Sequence, residues 1–209
     1  MADRLTSPPP ILALSAFAPE IHVLTAGAIL WRIYFRGGSH PSRWNGFRTF
    51  GPTNARFDHH PPPPKRHRGR SILYASDSGV TSVAEVFQQT RVIDRSTDTP
   101  ALVAFRLTRD LVLLDLTGAW PTQAGASMAI SSGSRAKARA WSRAIYAAYP
   151  HVAGLRYASS MNANQPTYAL YERARSSLPA TPVLDLALAT PGLMAPLAAA
   201  AIRFGFGLA

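Results

Sequence analysis

The sequence predicts an α+β fold, in which strands and helices are mixed without the regular alternation of βαβ units. Short apolar runs typical of strands occur at 28–35, 72–75, 101–107 and 111–116. The stretch 134–149 has apolar residues at helical spacing between a capping serine and a proline that would end a helix. Apolar residues make up 47% and charged residues 16% of the chain, a composition typical of globular proteins.

The net charge of +11 is carried almost entirely by arginine, since all but Lys65 and Lys137 of the 22 basic residues are Arg. A planar guanidinium suits phosphate and carboxylate groups, so an anionic ligand or an acidic partner is expected. A nucleic acid is the alternative partner for a protein of this charge. The chain contains no cysteine, which excludes disulfides, thiolate zinc sites and cysteine nucleophiles.

The 209 residues are enough for one domain with a sizeable core and a short appendage. We expect a loose, proline-punctuated leader at 1–20, the main domain at 21–178 and an apolar helical tail at 179–209. The run 186–202 carries no charge, but two prolines and a glycine interrupt it, and a membrane span needs ~20 apolar residues. The N-terminus lacks the basic-then-apolar order of a signal peptide, so a cytoplasmic protein is expected.

The first half of the chain contains two predicted strands, a proline-rich loop and a turn that leads into a helix. The strand at 28–35 contains Arg32 within a run of large apolar residues, and an irregular, aromatic-rich segment follows it. At 59–70, four prolines and a basic run predict an extended, solvent-exposed surface loop. The strand at 72–75 ends in the turn-forming cluster SDSG. A helix is predicted to begin just beyond it, with Thr81 or Ser82 as its capping residue.

The later elements follow from the same kinds of pattern. The β-rich runs at 101–107 and 111–116 flank three polar residues, which predicts a hairpin. The helix at 134–149 has Ser134 as its cap and presents Ala138, Trp141 and Ile145 on one face. Two short strands are predicted after it, at 152–157 and 167–172.

Glu85 is the candidate on which a functional interpretation depends. One stripe of its helix is formed by the apolar residues Val80, Val83, Val86 and Phe87, and Glu85 lies nearly opposite that stripe. Periodicity alone therefore favours a solvated Glu85. A functional role requires the opposite face of the helix to line a cleft.

The other candidates each have an ordinary structural explanation. Arg32 would be an edge-strand arginine reaching solvent, since an unpaired buried charge is costly. Arg56 would pair locally with Asp58, an interaction worth only ~0–1 kcal/mol at a surface. Tyr74 would be a core residue of its strand, and the serines at 159–160 would be turn residues.

Several other chemistries find little support. The sequence GASMA at 125–129 approximates a nucleophile elbow but lacks its last glycine. Asp58, His59 and His60 could contact a metal, but a third ligand is not evident, so no metal site is predicted. The chain has neither a G-x-G-x-x-G nor a P-loop motif, and no nucleic-acid-binding motif accompanies the basic run at 65–70.

Four short motifs occur in order along the chain: LWRI at 30–33, ARFD at 55–58, LYA at 73–75 with AEVF at 84–87, and GLRYAS at 154–159. This series of a strand arginine, an Arg-Phe dipeptide, a Tyr-to-Glu unit and a final strand with a serine resembles the RES domain family. The family is named for the Arg, Glu and Ser that its members share. The resemblance covers residues 25–175, which is most of the chain.

The resemblance implies a fold like that of the ADP-ribosyltransferases, with two small β-sheets flanking a cleft and helices around them. It also implies cleavage of the nicotinamide–ribose bond of NAD, with water or inorganic phosphate as acceptor. By the same resemblance Glu85, Arg32 and Ser159 would be catalytic, and NAD would be bound as substrate by Arg32, Arg56, Tyr74 and Ser159. No metal or resident cofactor is implied. The adjacent Ser160 leaves the identity of the family serine open, and the spacing from Tyr157 favours Ser159.

Many RES proteins are toxins paired with an Xre-like antitoxin, so the resemblance implies a hetero-oligomer with such a protein and no direct nucleic-acid or membrane partner. A basic toxin that meets an acidic partner is consistent with the charge of +11. Two alternatives stay open. The same cleft could serve an ADP-ribosyltransferase that modifies a macromolecule, or the chain could be a basic nucleic-acid-binding module without catalysis.

Overall fold

The computed structural model describes residues 5–209, and its mixture of strands and helices confirms the α+β class. The strands are β1 (Ile21–Leu24), β2 (Ile29–Phe35), β3 (Phe50–Gly51), β4 (Lys65–Arg66), β5 (Ile72–Ser76), β6 (Val92–Ile93), β7 (Pro100–Arg106), β8 (Leu111–Asp115), β9 (Gly154–Ala158), β10 (Pro166–Tyr171), β11 (Leu184–Ala187) and β12 (Gly207–Leu208). The helices are α1 (Ile11–Ser15), α2 (Gly79–Phe87), α3 (Trp120–Gln123), α4 (Arg135–Ala148) and α5 (Met194–Phe204), with 3₁₀ turns at Met128–Ile130, Glu172–Ser177 and Pro191–Leu193.

The main sheet has eight strands in the order β1-β8-β9-β10-β5-β2-β7-β11, and only β8 and β9 pair in parallel within it. Strands β5 and β2 share a single registered pair, Trp31 with Ser76, whereas β2 and β7 pair over seven residues. The sheet therefore consists of two halves that separate beyond this pair. One half contains β1, β8, β9, β10 and β5, and the other contains β2, β7 and β11. These halves, rather than two independent sheets, lie on either side of the expected cleft. Two further two-stranded sheets pair β12 with β6 and β3 with β4.

Helix α2 begins at Gly79, directly after the turn that follows β5, which is earlier in the chain than the predicted capping residues imply. Ser78 has extended backbone geometry, and its side chain accepts a hydrogen bond from the Thr81 amide, so Ser78 is the capping residue. The prediction of Thr81 or Ser82 as the cap was wrong. Both residues are buried within the helix, where the Ser82 hydroxyl lies 2.7 Å from that of Ser76.

The predicted hairpin between the runs at 101–107 and 111–116 does not form. Strand β7 lies between β2 and β11, whereas β8 lies between β1 and β9 in the other half of the sheet. In the connection, the Leu107 amide donates to the Ala28 carbonyl and the Thr108 amide donates to the Ser177 carbonyl. These bonds hold the connection against neighbouring segments, so it crosses between the two halves instead of turning back.

The helix predicted at 134–149 is confirmed as α4, with the Ser134 side chain accepting from the Lys137 amide. Its buried face includes Ala138, Trp141 and Ile145. The final two predicted strands correspond to β9 and β10.

Residues 5–20, expected to be loose, pack against α4. Leu5 and Leu14 are fully buried in the same core cluster as Trp141. The Trp141 indole donates to the Thr6 carbonyl at 2.8 Å, and the Tyr149 hydroxyl donates to the Leu14 carbonyl at 2.7 Å. Residues 1–4 of the predicted leader lie outside the described residues. The division of the chain at residues 20 and 178 stays a prediction.

The C-terminal segment contains strands as well as the expected helix. Strand β11 pairs with β7 at the edge of the main sheet, and β12 pairs with β6. Helix α5 buries Leu197, Ala200 and Ala201 in a core cluster that also contains Val83 and Phe87 of α2. The tail thus packs directly against the helix that carries Glu85. None of the helices in residues 5–209 has the length and apolar character needed to cross a bilayer.

Candidate active site

A cleft of about 1440 Å³ opens beside the point where β2 and β5 separate. Its walls come from β2 and β5, from the irregular segment between β2 and β3, and from α2 and the start of α4. Arg32, Arg56, Tyr74 and Glu85 all line it. Four of the five residues predicted for the site therefore face one space, and the fifth, Ser159, contacts one of them.

The contact between Ser159 and Glu85 joins the end of β9 to α2. The Ser159 hydroxyl donates to Glu85 Oε1 at 2.5 Å and accepts hydrogen bonds from the backbone amides of Met161 and Asn162 at 3.2 and 3.1 Å. Because its lone pairs face two donors, the hydroxyl hydrogen is directed at the carboxylate. Ser160 lines the cleft but is exposed, and only Ser159 of the two contacts Glu85.

The face of α2 that periodicity predicts to be solvated is the face that borders the cleft. Glu85 is half-buried there, and burial raises the pKa of its carboxyl group. The hydrogen bond from Ser159 and the positive charges of Arg56 and Arg135 lower the same pKa and offset part of the effect of burial. A carboxyl group with opposing influences on its pKa, lining a cleft, is typical of functional sites.

Arg32 lies on β2, an interior strand of the sheet, and does not reach solvent from a sheet edge. Burial lowers the pKa of its guanidinium to about 10, so it is still a cation at neutral pH. Its Nη1 donates to the Trp44 carbonyl at 3.1 Å, and its buried Nε has no hydrogen-bond partner among the described residues. The Arg32 side chain lines the cleft, where a guanidinium is suited to an anionic or carbonyl oxygen of a ligand.

Arg56 does not form the local pair with Asp58 that its sequence context suggested. Asp58 is fully buried and instead accepts from Arg48 Nη2 at 2.9 Å and from the Thr53 amide at 2.6 Å. Arg56 donates to the Gly133 carbonyl at 2.6 Å and lines the cleft. Burial and the neighbouring Arg135 lower the pKa of Arg56.

Two tyrosines form part of the cleft wall. Tyr74 is half-buried on β5, and Tyr157 is buried on β9 with its ring 4.6 Å from that of Phe57. Burial raises the pKa of both phenols well above the usual value, so both are neutral at physiological pH. They offer aromatic surface to a ligand.

The RES domain family model matches residues 29–189 of the chain. The chain belongs to the RES domain family. The four motifs quoted from the sequence lie within the matched residues, and the match extends beyond the predicted 25–175 at its C-terminal end.

The fold of this RES protein is also found in a solved structure. The chain is similar to a chain of the crystal structure of the M. tuberculosis MbcT–MbcA toxin–antitoxin complex, with a TM-score of 0.57 and 17% sequence identity over 90% of this chain and 96% of that chain. At this identity the likeness concerns the fold alone, which is consistent with the expected ADP-ribosyltransferase-like class. No curated protein sequence matches the chain.

Further arginines line the cleft of this RES protein that the motifs did not indicate. Among residues 5–209, its lining contains six arginines and a single carboxylate, that of Glu85; the arginines are Arg32, Arg43, Arg48, Arg56, Arg66 and Arg135. Arg135 follows the capping serine of α4, so its place at a helix start was visible in the sequence. Arg43 and Arg48 lie in the irregular segment between β2 and β3, and Arg66 lies in the two-residue strand β4. Local patterns did not predict that these segments would reach the cleft.

The Asp58-His59-His60 segment has a structural role. His60 contacts Asp58 through Nδ1 and the Arg70 carbonyl through Nε2, while His59 Nε2 lies 3.6 Å from a carboxylate oxygen of Glu172. The three residues are fully buried and tie the proline–basic loop to the domain. Within residues 5–209, no group of three His, Asp or Glu side chains is placed to hold a metal ion.

Proposed function

We propose that this RES protein cleaves the nicotinamide–ribose bond of NAD, with Glu85 at the reacting centre. The observation that carries the proposal is the 2.5 Å contact between Ser159 and the half-buried Glu85 carboxylate at the wall of an arginine-lined cleft. NAD is the substrate in this proposal, and no metal or resident cofactor takes part.

The charge of the cleft suits a dinucleotide. The described part of the lining contains six arginines and one carboxylate, so the site attracts anions. NAD carries a diphosphate between its two nucleosides. Guanidinium groups bind phosphate oxygens through paired, charge-assisted hydrogen bonds. The cleft exceeds the 300–1,000 Å³ typical of small-molecule pockets, which leaves space for a ligand as extended as NAD and for an acceptor molecule.

In this proposal, Glu85 acts on the charge that bond cleavage creates. When the N-glycosidic bond breaks, its electron pair leaves with nicotinamide, and positive charge develops on the ribose. A nearby carboxylate stabilises such charge, as in glycosidases, and can also accept a hydrogen bond from a ribose hydroxyl. Water or inorganic phosphate then bonds to the ribose carbon, and water loses a proton in this step. The Ser159 hydroxyl orients the carboxylate and favours its ionised form.

The remaining predicted residues bind the substrate in this proposal. Arg32 and Arg56 lie on different elements of the cleft wall and would hold the phosphates. Arg32 lines the cleft, and the Trp44 carbonyl occupies only one of its guanidinium donors, which supports a direct contact with the ligand. Tyr74 would stack against the nicotinamide ring, which is consistent with its half-buried position.

We further propose that the protein is a cytoplasmic toxin that depletes NAD and is neutralised by a cognate antitoxin of the Xre type. The similar fold in the MbcT–MbcA toxin–antitoxin complex supports an antitoxin partner. The charge of +11 supports an acidic contact surface on that partner. Co-purification of the chain with the product of a neighbouring gene, followed by loss of activity in the complex, is the expected result.

The test is to incubate the purified protein with NAD labelled in its adenylate half and to separate the products. With water as acceptor, labelled ADP-ribose and free nicotinamide form in equal amounts without added phosphate. With phosphate as acceptor, turnover requires phosphate and the labelled product carries one more phosphate group. An unchanged NAD pool in both conditions, with folded protein, would rule out the proposed cleavage.

The same labelled substrate separates the alternative functions. If cell extract is added and the label moves to protein or nucleic acid, the chain is an ADP-ribosyltransferase. If NAD stays intact while the protein binds DNA or RNA with a steep dependence on salt, the basic binding module is correct.

A further inference from the structure

The turn that carries Ser159 has an unusual backbone. Ala163 and Asn164 have φ values of +45° and +60°, in the left-handed region that non-glycine residues seldom adopt. The Ser159 amide donates to the Gln165 carbonyl, and the Ser159 carbonyl accepts from the Asn164 amide. A turn of this kind persists where surrounding contacts hold it in place.

Asn162 supplies the contacts that anchor the turn. Its side chain is only 4% exposed, and both ends of its amide have partners. Nδ2 donates to the Thr81 hydroxyl on α2 at 2.8 Å, and Oδ1 accepts from Arg203 Nη2 on α5 at 2.9 Å. The Asn162 backbone amide also donates to the Ser159 hydroxyl. One buried amide thus joins the Ser159 turn to two helices.

These bonds form a continuous path from the tail to the carboxylate. Arg203 contacts Asn162, Asn162 contacts Ser159, and Ser159 contacts Glu85. Thr81 and Glu85 lie four residues apart on α2, so the anchor and the carboxylate belong to one rigid element. Arg203 lies outside the part of the chain that matches the RES family, which ends at residue 189.

We propose that Arg203 of α5 is a positioning residue for the active site, which acts through Asn162 to hold Ser159 against Glu85. The proposal rests on the function proposed above. The C-terminal segment, which lies beyond the residues that match the RES family, would then help to position the residues of the cleft. Among the described residues, Arg203 is neither part of the cleft lining nor one of the groups that shift the pKa of Glu85, so its effect is expected to pass through Asn162.

Loss of the Arg203 side chain has a specific expected consequence. The buried Oδ1 of Asn162 loses its donor, the turn becomes less constrained, and the bond from Ser159 to Glu85 weakens. The Glu85 carboxylate then loses a donor that lowers its pKa, while burial continues to raise it. The other titratable groups that face Glu85 are Arg56 from the loop after β3, Arg135 from α4 and Tyr157 from β9, and all three are unchanged.

The primary test measures the titration of Glu85 itself. The chain contains only three glutamates, Glu20, Glu85 and Glu172, so labelling glutamate carboxyl carbons with ¹³C yields three resolvable NMR signals. The signal that disappears in Glu85→Gln identifies the group. In Arg203→Gln and in Asn162→Ala, the Glu85 signal is expected to titrate at higher pH than in the wild type.

Arg91→Gln is the matched control. Arg91 is an exposed arginine that also contacts the tail, since it donates to the carbonyls of Phe204 and Gly205. This variant removes the same charge and a contact to the end of α5, but it leaves Asn162 and its partners in place. The Glu85 titration is expected to match that of the wild type. A shift of equal size in Arg91→Gln would show that general loosening of the tail, and not positioning, is responsible.

Kinetics supply the second readout. Arg203→Gln is expected to lower kcat for NAD cleavage about fivefold, as the loss of one hydrogen bond implies, with little change in KM and with the acid limb of the profile moved to higher pH. An unchanged Glu85 titration in folded Arg203→Gln and Asn162→Ala would overturn the proposal. Because the titration needs no substrate, it decides the positioning role even if NAD proves not to be cleaved.

Discussion

Replacing Ser159 with alanine tests the contact around which the site is built. The Ser159 hydroxyl is fully buried, donates to Glu85 at 2.5 Å and accepts from two backbone amides. The bond to the carboxylate is charge-assisted and worth roughly 1.5–3 kcal/mol, and a buried amide left without an acceptor costs roughly 1–3 kcal/mol. Water and local relaxation recover part of this loss. We therefore expect the free energy of unfolding to fall by about 2–4 kcal/mol. This range adds the loss of the hydrogen bond to Glu85 to part of the cost of leaving one buried amide without an acceptor.

Urea unfolding at pH 7.5, followed by tryptophan fluorescence, measures this change. With a typical slope of about 1–3 kcal/mol per molar urea, the midpoint should fall by roughly 1–2 M. Ser160→Ala is the matched control, because the neighbouring serine is exposed and is expected to change stability by less than ~0.5 kcal/mol. If the two variants unfold at the same urea concentration, the Ser159–Glu85 contact does not exist in solution.

Three further predictions concern stability. Because burial raises the pKa of Glu85, the folded protein binds more protons than the unfolded chain between the ordinary glutamate pKa and the raised one, and stability falls as pH rises through that window. Glu85→Gln should therefore be about 0.5–2 kcal/mol more stable than the wild type at pH 8 and equal to it below pH ~4, as measured by urea titrations at both values. Asp58→Asn should lower the free energy of unfolding by about 3–5 kcal/mol, since Arg48 and the buried His60 lose a charged partner; a change under 1 kcal/mol would refute the buried network. Leu14→Ala should cost about 2–5 kcal/mol by thermal unfolding if residues 5–20 belong to the core, whereas no shift in Tm would mean that they are loose.

Local pattern predicted the elements whose signals are contained within a few residues. The strand around Arg32, the strand before the SDSG turn and the helix after Ser134 all appear close to their predicted bounds. The capping residue of α2 was misplaced because Ser78, Thr81 and Ser82 are all good caps, and backbone geometry decides among them. The hairpin failed because strand pairing depends on distant partners, which a run of β-formers does not reveal.

The candidate site residues were predicted from the order of four short motifs along the chain, because residue properties and periodicity alone did not identify them. Periodicity places Glu85 opposite the apolar stripe of α2, yet it contains no information on whether that side meets solvent or a cleft. The resemblance to the RES family supplied this information, and the structure brings the Glu85 and Ser159 motifs together. Arg43 and Arg48 were missed because an irregular segment carries them to the cleft, and Arg66 because its short strand β4 pairs with a distant segment. The link from Arg203 to Asn162 joins residues 41 positions apart and leaves no local signal.

The most direct test of the central claim is the rate of nicotinamide release from NAD by purified wild-type protein beside Glu85→Gln. The substitution keeps the shape of the side chain and an acceptor for Ser159 but removes the charge that would stabilise the developing ribose cation. Asp110→Asn, an exposed carboxylate outside the cleft lining, controls for loss of one negative charge. We expect nicotinamide release by the wild type and the control, and a loss of about 10²-fold or more in Glu85→Gln. Equal rates in all three proteins would contradict a role for Glu85 at the reacting centre, and no release from folded wild type would contradict NAD cleavage itself.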